Sequence, residues 1–309
     1  MSGISGEVCA NCGSDAANKL KNCAACRLVK YCSVGCQKAH REQHKGACKK
    51  RAAELKDARL YTQGQVRPEG DSCPLCTLPI PMPLNQYSKL MPCCTTRVCF
   101  GCTWAVEKRG MPDCAFCRTP RSEAIVSHLS KVQARVDAKD PEATNYLAEL
   151  HYFGFEGLDK DLPRANELWR QAAELGSTEA NYSLGNRYCA GEGVEMNAAK
   201  ALQFYEVAAC LGHVESRHNI GSIELTGGKC QRAVKHFMIS AKMGFGPSLT
   251  MIERLFAAGV ASEEQYAEAK KGYEDAQEEM ASPERDEAYK IFVRDYEGYT
   301  REFVSPLRR

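Results

Sequence analysis

The chain has 309 residues, which is enough for two or three domains with a sizeable core. Its formal net charge of +2 argues against a dedicated nucleic-acid binder, so nucleic acid is not an expected partner. The start, MSGISGEVCANC, does not resemble a signal peptide. No run approaches the roughly 18 apolar residues of a membrane helix. Both observations predict an intracellular protein of the cytoplasm or nucleus with no membrane partner.

The cysteines divide the chain into a cysteine-rich first third and a cysteine-poor remainder. Fifteen of the eighteen lie before residue 118, and the other three are Cys189, Cys210 and Cys230. Reducing compartments keep thiols free, so a dense cysteine pattern in an intracellular protein indicates metal sites more than disulfides. We therefore expect metal-binding modules in the first third, and reduced, partly buried thiols at the three later positions.

The first cluster of ligand-type residues, between residues 9 and 48, is arranged in four pairs. The pairs are Cys9 and Cys12, Cys23 and Cys26, Cys32 and Cys36, and His44 and Cys48. Two intervening residues let both side chains reach one ion from a tight turn, and three put both on one face of a helix. A tetrahedral zinc ion takes four such ligands, so eight ligands predict two ions, with the first pair joining the third and the second joining the fourth.

This segment, assigned to residues 1–50, resembles the MYND zinc finger. The resemblance rests on YCSVGCQ at Tyr31–Gln37 and HKGAC at His44–Cys48. His40 lies one helical turn from His44, so either histidine could reach the metal. The spacing of the family favours His44 and leaves His40 as a surface residue.

The resemblance also implies a partner, because MYND fingers typically bind proline-rich peptides. Members of the family often use a glutamine after the sixth ligand and a tryptophan four residues further on. Gln37 matches the glutamine and is a candidate partner-binding residue, whereas Arg41 stands where the tryptophan would be. The next segment, residues 51–72, has one apolar helical face and is predicted to be a helical linker.

A second cysteine cluster, predicted to form a module over residues 73–120, contains eight candidate ligands. They are Cys73, Cys76, Cys93, Cys94, Cys99, Cys102, Cys114 and Cys117. The pattern resembles a RING finger, which holds two zinc ions in a cross-brace, and three of the four ligand pairs match directly. Together with the first module, the sequence predicts four zinc ions per chain.

Two adjacent cysteines stand where RING fingers usually have a Cys-x-His-x2-Cys arrangement. Aligning Cys99 with the last cysteine of that arrangement puts Cys94 on the first and Thr96 on the histidine. Threonine is a poor zinc ligand, so Cys93 is the candidate replacement, and both adjacent cysteines would complete a site with the last cysteine pair of the module. The alternative is that one of the two ligates while the other packs.

Three further residues fit a RING that recruits a ubiquitin-conjugating enzyme. Leu75 lies between the first two ligands, Trp104 lies just past the sixth, and Arg118 follows the final one. In RING ligases these positions hold apolar and basic contacts to the conjugating enzyme, so by resemblance all three are candidate partner-binding residues. The structural alternative is that Leu75 and Trp104 belong to a small core and Arg118 is a solvated charge.

After a predicted linker at residues 121–139, the sequence contains an internal repeat over residues 140–260. The segments RANELWRQAAELG, KALQFYEVAACLG and RAVKHFMISAKMG end at glycines 36 and 32 residues apart, and each follows another helical segment. A period of about 34–40 residues with paired helices predicts an α-solenoid. The units resemble Sel-one-like repeats, relatives of the tetratricopeptide repeat, in which Trp169, Tyr205 and Phe237 would fill the space between hairpins. Residues 261–309 are predicted to be capping helices.

The predicted fold is multidomain, with two small cross-brace zinc modules, one MYND-type and one RING-like, before an all-α solenoid of helical hairpins. The sequence offers no nucleophile–base constellation, so we assign no catalytic residue. This build is typical of an intracellular adaptor whose repeats bind partner proteins. The alternative, from a different class, is a RING-type ubiquitin-protein ligase whose MYND and repeat regions select substrates.

Overall fold

The computed structural model describes residues 8–15, 20–111, 113–120 and 125–291 of the chain. The chain divides into two compact units, Met1–Thr62 and Gln63–Arg309, so the second cysteine cluster and the helical repeats lie in the same unit. No described helix combines the length and the apolar character that crossing a membrane requires.

The described residues of the first unit form one β-hairpin and two helices. Its elements are β1 (Lys21–Asn22), β2 (Lys30–Tyr31), α1 (Val34–Ala39) and α2 (Arg41–Thr62), and the two strands pair antiparallel. Helix α1 begins after Ser33, whose hydroxyl accepts a hydrogen bond from the amide of Cys36 at 3.1 Å. The fully buried cluster of this unit is made of Cys9, Cys23, Cys26 and Tyr31. Its core is therefore built mainly from ligand-type side chains rather than aliphatic ones.

The second unit begins with the RING-like cysteine cluster, which folds around a second β-hairpin. A short 3-10 turn (Glu69–Asp71) and α3 (Leu84–Tyr87) precede β3 (Ser88–Met91) and β4 (Thr96–Cys99), and α4 (Phe100–Lys108) follows. The strands pair antiparallel with Met91 opposite Thr96, so residues 92–95 form the hairpin loop. Ile80 and Val98 are fully buried in one cluster with the cysteines.

Most of the other described residues of the second unit form an array of helical hairpins. Its helices are α5 (Ile125–Asp137), α6 (Pro141–Phe153), α7 (Leu162–Glu174), α8 (Thr178–Ala190), α9 (Ala198–Cys210), α10 (Val214–Thr226), α11 (Cys230–Lys242), α12 (Gly246–Ala257) and α13 (Glu263–Met280). Within the described residues, α6 to α13 pack as four consecutive hairpins, and a further helical segment covers residues 283–291. The predicted solenoid is confirmed. The last part of the predicted capping region, residues 292–309, lies outside the described residues.

The large aromatic side chains of the repeats are buried, and two of them, Tyr205 and Phe237, pack against the other helix of their own hairpin, whereas the sequence predicted that they fill the space between hairpins. Trp169, Tyr205 and Phe237 are each at most 2% exposed. A Cβ atom on Gly185 would lie 2.5 Å from the ring of Tyr205, and one on Gly221 would lie 2.8 Å from the ring of Phe237. Glycine at these two positions therefore allows the paired helices to approach closely enough to bury the aromatic rings.

Consecutive hairpins are also joined by polar contacts at the starts of their first helices. Ser177 caps the N-terminus of α8, and its hydroxyl donates a hydrogen bond to the carboxylate of Glu142 on α6 at 3.0 Å. His213 caps α10 in the same way, and its Nε2 lies 3.2 Å from the carboxylate of Glu179 on α8. The residue that caps each of these helices thus also contacts the preceding hairpin.

The segment predicted as a linker, residues 121–139, contains a helix that the sequence did not suggest. Val132 on α5 is fully buried against the first hairpin. Asp140 caps α6 and accepts hydrogen bonds from the hydroxyl of Thr95 at 2.9 Å and from the guanidinium of Arg135. Because Thr95 belongs to the loop between β3 and β4, this contact joins the RING-like module to the repeat array.

Candidate metal centres and the surfaces around them

The sixteen predicted ligands lie in four separate groups. The groups are Cys9, Cys12, Cys32 and Cys36; Cys23, Cys26, His44 and Cys48; Cys73, Cys76, Cys99 and Cys102; and Cys93, Cys94, Cys114 and Cys117. Within each group all ligand atoms lie within 4.8 Å of one another. The pairs therefore interleave in both modules, first with third and second with fourth.

The distances within the groups fit zinc. Bonds of about 2.3 Å to a tetrahedral zinc ion place two sulfur atoms about 3.8 Å apart. The sulfur atoms of Cys23 and Cys48 are 3.7 Å apart, and those of Cys76 and Cys99 are 3.8 Å apart. Such separations are far longer than the sulfur–sulfur bond of a disulfide, which is about 2.05 Å. The four groups fit four zinc ions, as predicted.

Each group supplies four protein ligands, which defines the chemistry it can support. A zinc ion held by four protein ligands has no open position for water or substrate, as is typical of structural sites. Such ions stabilise small modules that have little aliphatic core. The expected role of these centres is therefore to fold the two modules rather than to catalyse a reaction.

The hairpin loop explains how two adjacent cysteines can face one group. Side chains of neighbouring residues in a strand point to opposite faces, but Cys93 and Cys94 lie after β3 has ended. The amide of Cys94 donates to the carbonyl of Met91 at 3.2 Å, and Thr95 adopts a left-handed conformation with φ of 51°. This turn brings both thiols to the same group, with the sulfur of Cys93 at 3.4 Å from that of Cys117.

The pKa values of two thiols in this fourth group, Cys93 and Cys117, shift in opposite directions. Burial, reinforced by contact with Cys117, raises the pKa of Cys93. Burial also opposes ionisation of Cys117, but hydrogen bonds from Thr119, whose hydroxyl lies 3.1 Å away, outweigh it and lower the pKa to about 6. Of these two thiols, Cys117 is thus the one whose surroundings favour the deprotonated form, which is the form that binds metal.

The two neighbouring histidines of the first unit have different surroundings. Nε2 of His44 lies 3.1 Å from the sulfur of Cys26, within the second group. His40 belongs to none of the groups formed by the described residues, and its Nδ1 lies 3.1 Å from the hydroxyl of Tyr31. The structure thus places the histidine favoured by the family spacing at the candidate metal centre.

Comparison with known families agrees with this geometry. The MYND finger family model matches residues 9–48, and the Sel1 repeat model matches residues 141–177 and 178–213. The chain carries a MYND finger followed by Sel1 repeats. Between them, the third and fourth ligand groups fit a RING-like module. The hairpin α10–α11 extends the array beyond the two matched repeats.

Three solved structures are similar to parts of this chain. A Sel1 repeat protein from Oxalobacter formigenes is 22% identical with a TM-score of 0.45, over 51% of this chain and 66% of that one. A protective antigen with an SLR fold from uropathogenic Escherichia coli is 29% identical with a TM-score of 0.43, over 50% and 33%. The immunity protein Pa5087 from Pseudomonas aeruginosa is 18% identical with a TM-score of 0.35, over 66% and 69%. The alignments thus span less than two thirds of the first two structures, and no curated protein gives a significant match.

The candidate partner-binding residues lie on different surfaces. Gln37 of the MYND finger is exposed and lines a cleft that Arg41 also lines. In the RING-like module Leu75 is 40% exposed and Arg118 is exposed, whereas Trp104 is partly buried on α4. Two of the three residues of the RING-like module are therefore accessible to a partner.

One residue beside the third ligand group could not be found from the sequence. Arg285 is 8% exposed, and its guanidinium donates to the carbonyl oxygens of Leu78 at 3.0 Å, Pro79 at 2.5 Å and Met280 at 2.7 Å. It also lies 3.3 Å from the sulfur of Cys76. The helical segment 283–291 thereby contacts the loop that carries the first two ligands of the RING-like module.

Two further contacts fix this C-terminal segment against the RING-like module. Gly101 on α4 approaches Arg285 so closely that a Cβ atom there would lie 3.0 Å from the arginine side chain. The rings of Tyr87 and Tyr289 stack with their centroids 5.2 Å apart. Because these contacts come from several elements, the segment is part of the RING-like module's tertiary structure.

Proposed function

We propose that this protein is an adaptor that binds different partner proteins through its MYND finger and its Sel1 repeats. The observation that carries the proposal is the presence of two interaction-type modules in two compact units of one chain. In this proposal the sixteen grouped side chains ligate four zinc ions, and the ions have a structural role.

Exposed aromatic residues support a partner surface on the repeats. Phe153 and Phe155, at the end of α6, are 56% and 57% exposed, and their rings stack with centroids 5.2 Å apart. Exposed aromatic side chains that lie together are a common feature of protein-binding surfaces. In this proposal the pair is a contact point for a partner of the repeat array.

The test is to identify partners by chemical cross-linking of the full zinc-loaded chain and to compare variants. We expect Phe153→Ser/Phe155→Ser to remove one set of partners and to leave those of the MYND finger bound. The matched control is Met196→Ser, which changes another exposed apolar residue of the repeats. If no partner depended on either module, the adaptor proposal would be wrong.

The alternative, a RING-type ubiquitin-protein ligase, has the accessible Leu75 and Arg118 in its favour. In that case the RING-like module would bind a conjugating enzyme and the other modules would select substrates. An autoubiquitination assay with a panel of conjugating enzymes separates the two functions. The adaptor proposal expects no transfer, whereas transfer that is lost in both Leu75→Ala and Arg118→Ala would favour the ligase.

A further inference from the structure

A basic cleft lies on the MYND finger beside its second ligand group. It encloses about 500 Å³ between residues of α1, α2 and the segment around β1. Its apolar lining includes Ala24, Ala25 and Val34, and Val34 is 67% exposed. A concave surface with exposed apolar side chains is suited to a short peptide segment.

Apart from the second ligand group, the charged side chains that line the cleft are all basic. Lys38, Arg41, Lys45 and Lys49 line it, and none of the described residues that line it is acidic. Zinc bound to three thiolates and a neutral imidazole in the second group would carry a net charge of about −1. Four cations outweigh that charge, so the cleft attracts anionic ligands.

Helical periodicity arranges three of these cations along one edge. Arg41, Lys45 and Lys49 are four residues apart on α2, so they lie on one face at intervals of about 6 Å. His44, Cys48 and Ala52 form a parallel row beside them. Alternate side chains of an extended peptide are about 6.6 Å apart, which nearly matches the interval between the cations.

We infer that this cleft binds an extended acidic peptide in which carboxylates alternate with small apolar residues. The carboxylates pair with the row on α2, and the intervening side chains face the α1 side of the cleft around Val34. This inference deepens the adaptor proposal and rests on it, because it states the partner class of the MYND finger. Arg41 stands where the family often has an aromatic residue. A guanidinium group pairs well with carboxylates, so this position favours an acidic peptide over one whose proline rings would stack on an aromatic side chain.

A protein ligand fits the cleft better than a nucleic acid does. Single-stranded nucleic acids are usually bound by exposed aromatic side chains that stack on the bases, along a basic groove. Among the described residues that line this cleft, two have rings, the ligand His44 and Tyr31. Tyr31 is only 3% exposed. The site therefore offers charge and small apolar contacts but no accessible stacking platform.

The experiment measures peptide binding to the full zinc-loaded chain by fluorescence anisotropy. The probe contains alternating Glu and Val, and its matched control has the same composition with the Glu residues in one block. We expect the alternating peptide to bind about tenfold more tightly than the block peptide and a proline-rich peptide at low salt. Equal binding of the alternating and block peptides, or tighter binding of the proline-rich peptide, would overturn the inference.

Charge-reversal variants test the location of the site. Arg41→Glu/Lys45→Glu should weaken binding of the alternating peptide by at least about tenfold. Lys50→Glu/Arg59→Glu makes the same change in net charge at exposed positions of α2 outside the cleft, and it should retain binding to within about threefold. Measured zinc content controls for folding of each variant.

Two outcomes would contradict the location or the ligand class. An equal loss of binding in both double variants would mean that general charge attraction, rather than the cleft, holds the peptide. Displacement of the peptide by a short single-stranded oligonucleotide at lower concentration than by unlabelled peptide would assign the surface to nucleic acid. Either result would leave the partner test of Phe153 and Phe155 unaffected, so failure of the peptide inference is distinguishable from failure of the adaptor proposal.

Discussion

Replacing Arg285 by alanine should selectively weaken the third zinc centre and the attachment of the C-terminal segment. The guanidinium is almost fully buried, donates to three carbonyl oxygens, and lies 3.3 Å from the sulfur of Cys76. A positive charge beside a thiolate favours the deprotonated form that binds metal. Alanine removes both the charge and the three hydrogen bonds.

The size of the effect follows from these contacts. A hydrogen bond from a charged donor contributes about 1.5–3 kcal/mol, but part of the gain from three such bonds is offset by the cost of burying the guanidinium. We therefore expect Arg285→Ala to lower the free energy of unfolding by about 3 kcal/mol. Loss of an outer-shell partner typically reduces metal affinity about 10- to 100-fold, which sets the expected change at this centre.

Competition with a chromophoric chelator measures the effect on zinc. The variant should release one of four ions at a lower chelator concentration, and alkylation followed by mass spectrometry should find Cys73, Cys76, Cys99 and Cys102 newly reactive. The control is Lys108→Ala, which breaks an exposed ion pair with Glu287 of the same C-terminal segment and should leave zinc affinity and thermal stability nearly unchanged.

The outcome that would refute this reasoning is equally specific. If Arg285→Ala released all four ions together, the effect would be global unfolding rather than loss of a local partner. If it changed neither zinc affinity nor thermal stability, the buried contacts of the guanidinium would not stabilise the module. Arg285→Lys should lie between the wild type and alanine, because an ammonium group keeps the charge but cannot reach all the acceptors that the planar guanidinium reaches.

Four other predictions concern the metal centres and the repeats. Cys93→Ser should lower the zinc content from four ions to about three. Adding Thr96→His to this variant should restore the fourth ion if Cys93 replaces the usual RING histidine. An unchanged zinc content in Cys93→Ser would show that Cys93 is not a ligand. Gly185→Ala should destabilise the repeats by about 1–2 kcal/mol, because overpacking against Tyr205 outweighs the gain in helix propensity. A melting temperature equal to or above that of the wild type would contradict the close packing. Burial and a neighbouring carboxylate raise the pKa of Glu149 to about 7. The folded state therefore holds this proton more tightly than the unfolded state, and the free energy of unfolding should fall as the pH rises toward 7. In urea unfolding at pH 6 and pH 7.5, the difference in the free energy of unfolding should be smaller for Glu149→Gln than for the wild type. Removal of zinc by a chelator should leave most of the helical circular dichroism signal, because the helical hairpins contain none of the four ligand groups. A loss of most of that signal would show that the repeats depend on zinc.

The sequence predicted the metal groups and the repeat array because both depend on short spacings. Ligands two or three residues apart can reach the same ion, and four of them complete a zinc site, so the pairs could be counted without a structure. The array followed from the period at which glycines and large aromatic residues recur, because each hairpin must bury the same face against its neighbours. The burial of Trp169, Tyr205 and Phe237 agrees with that reasoning.

Tertiary structure alone decided the contacts between segments that are distant in the chain. Arg285 lies 209 residues after Cys76, and no spacing rule connects a single arginine near the C-terminus with a particular cysteine pair. The same holds for Arg217, a fully buried side chain that donates to the carbonyl of Gln63, 154 residues earlier. A long-range contact depends on where the folded backbone places each segment, and an isolated charged residue has the same local signature whether it is solvated or buried.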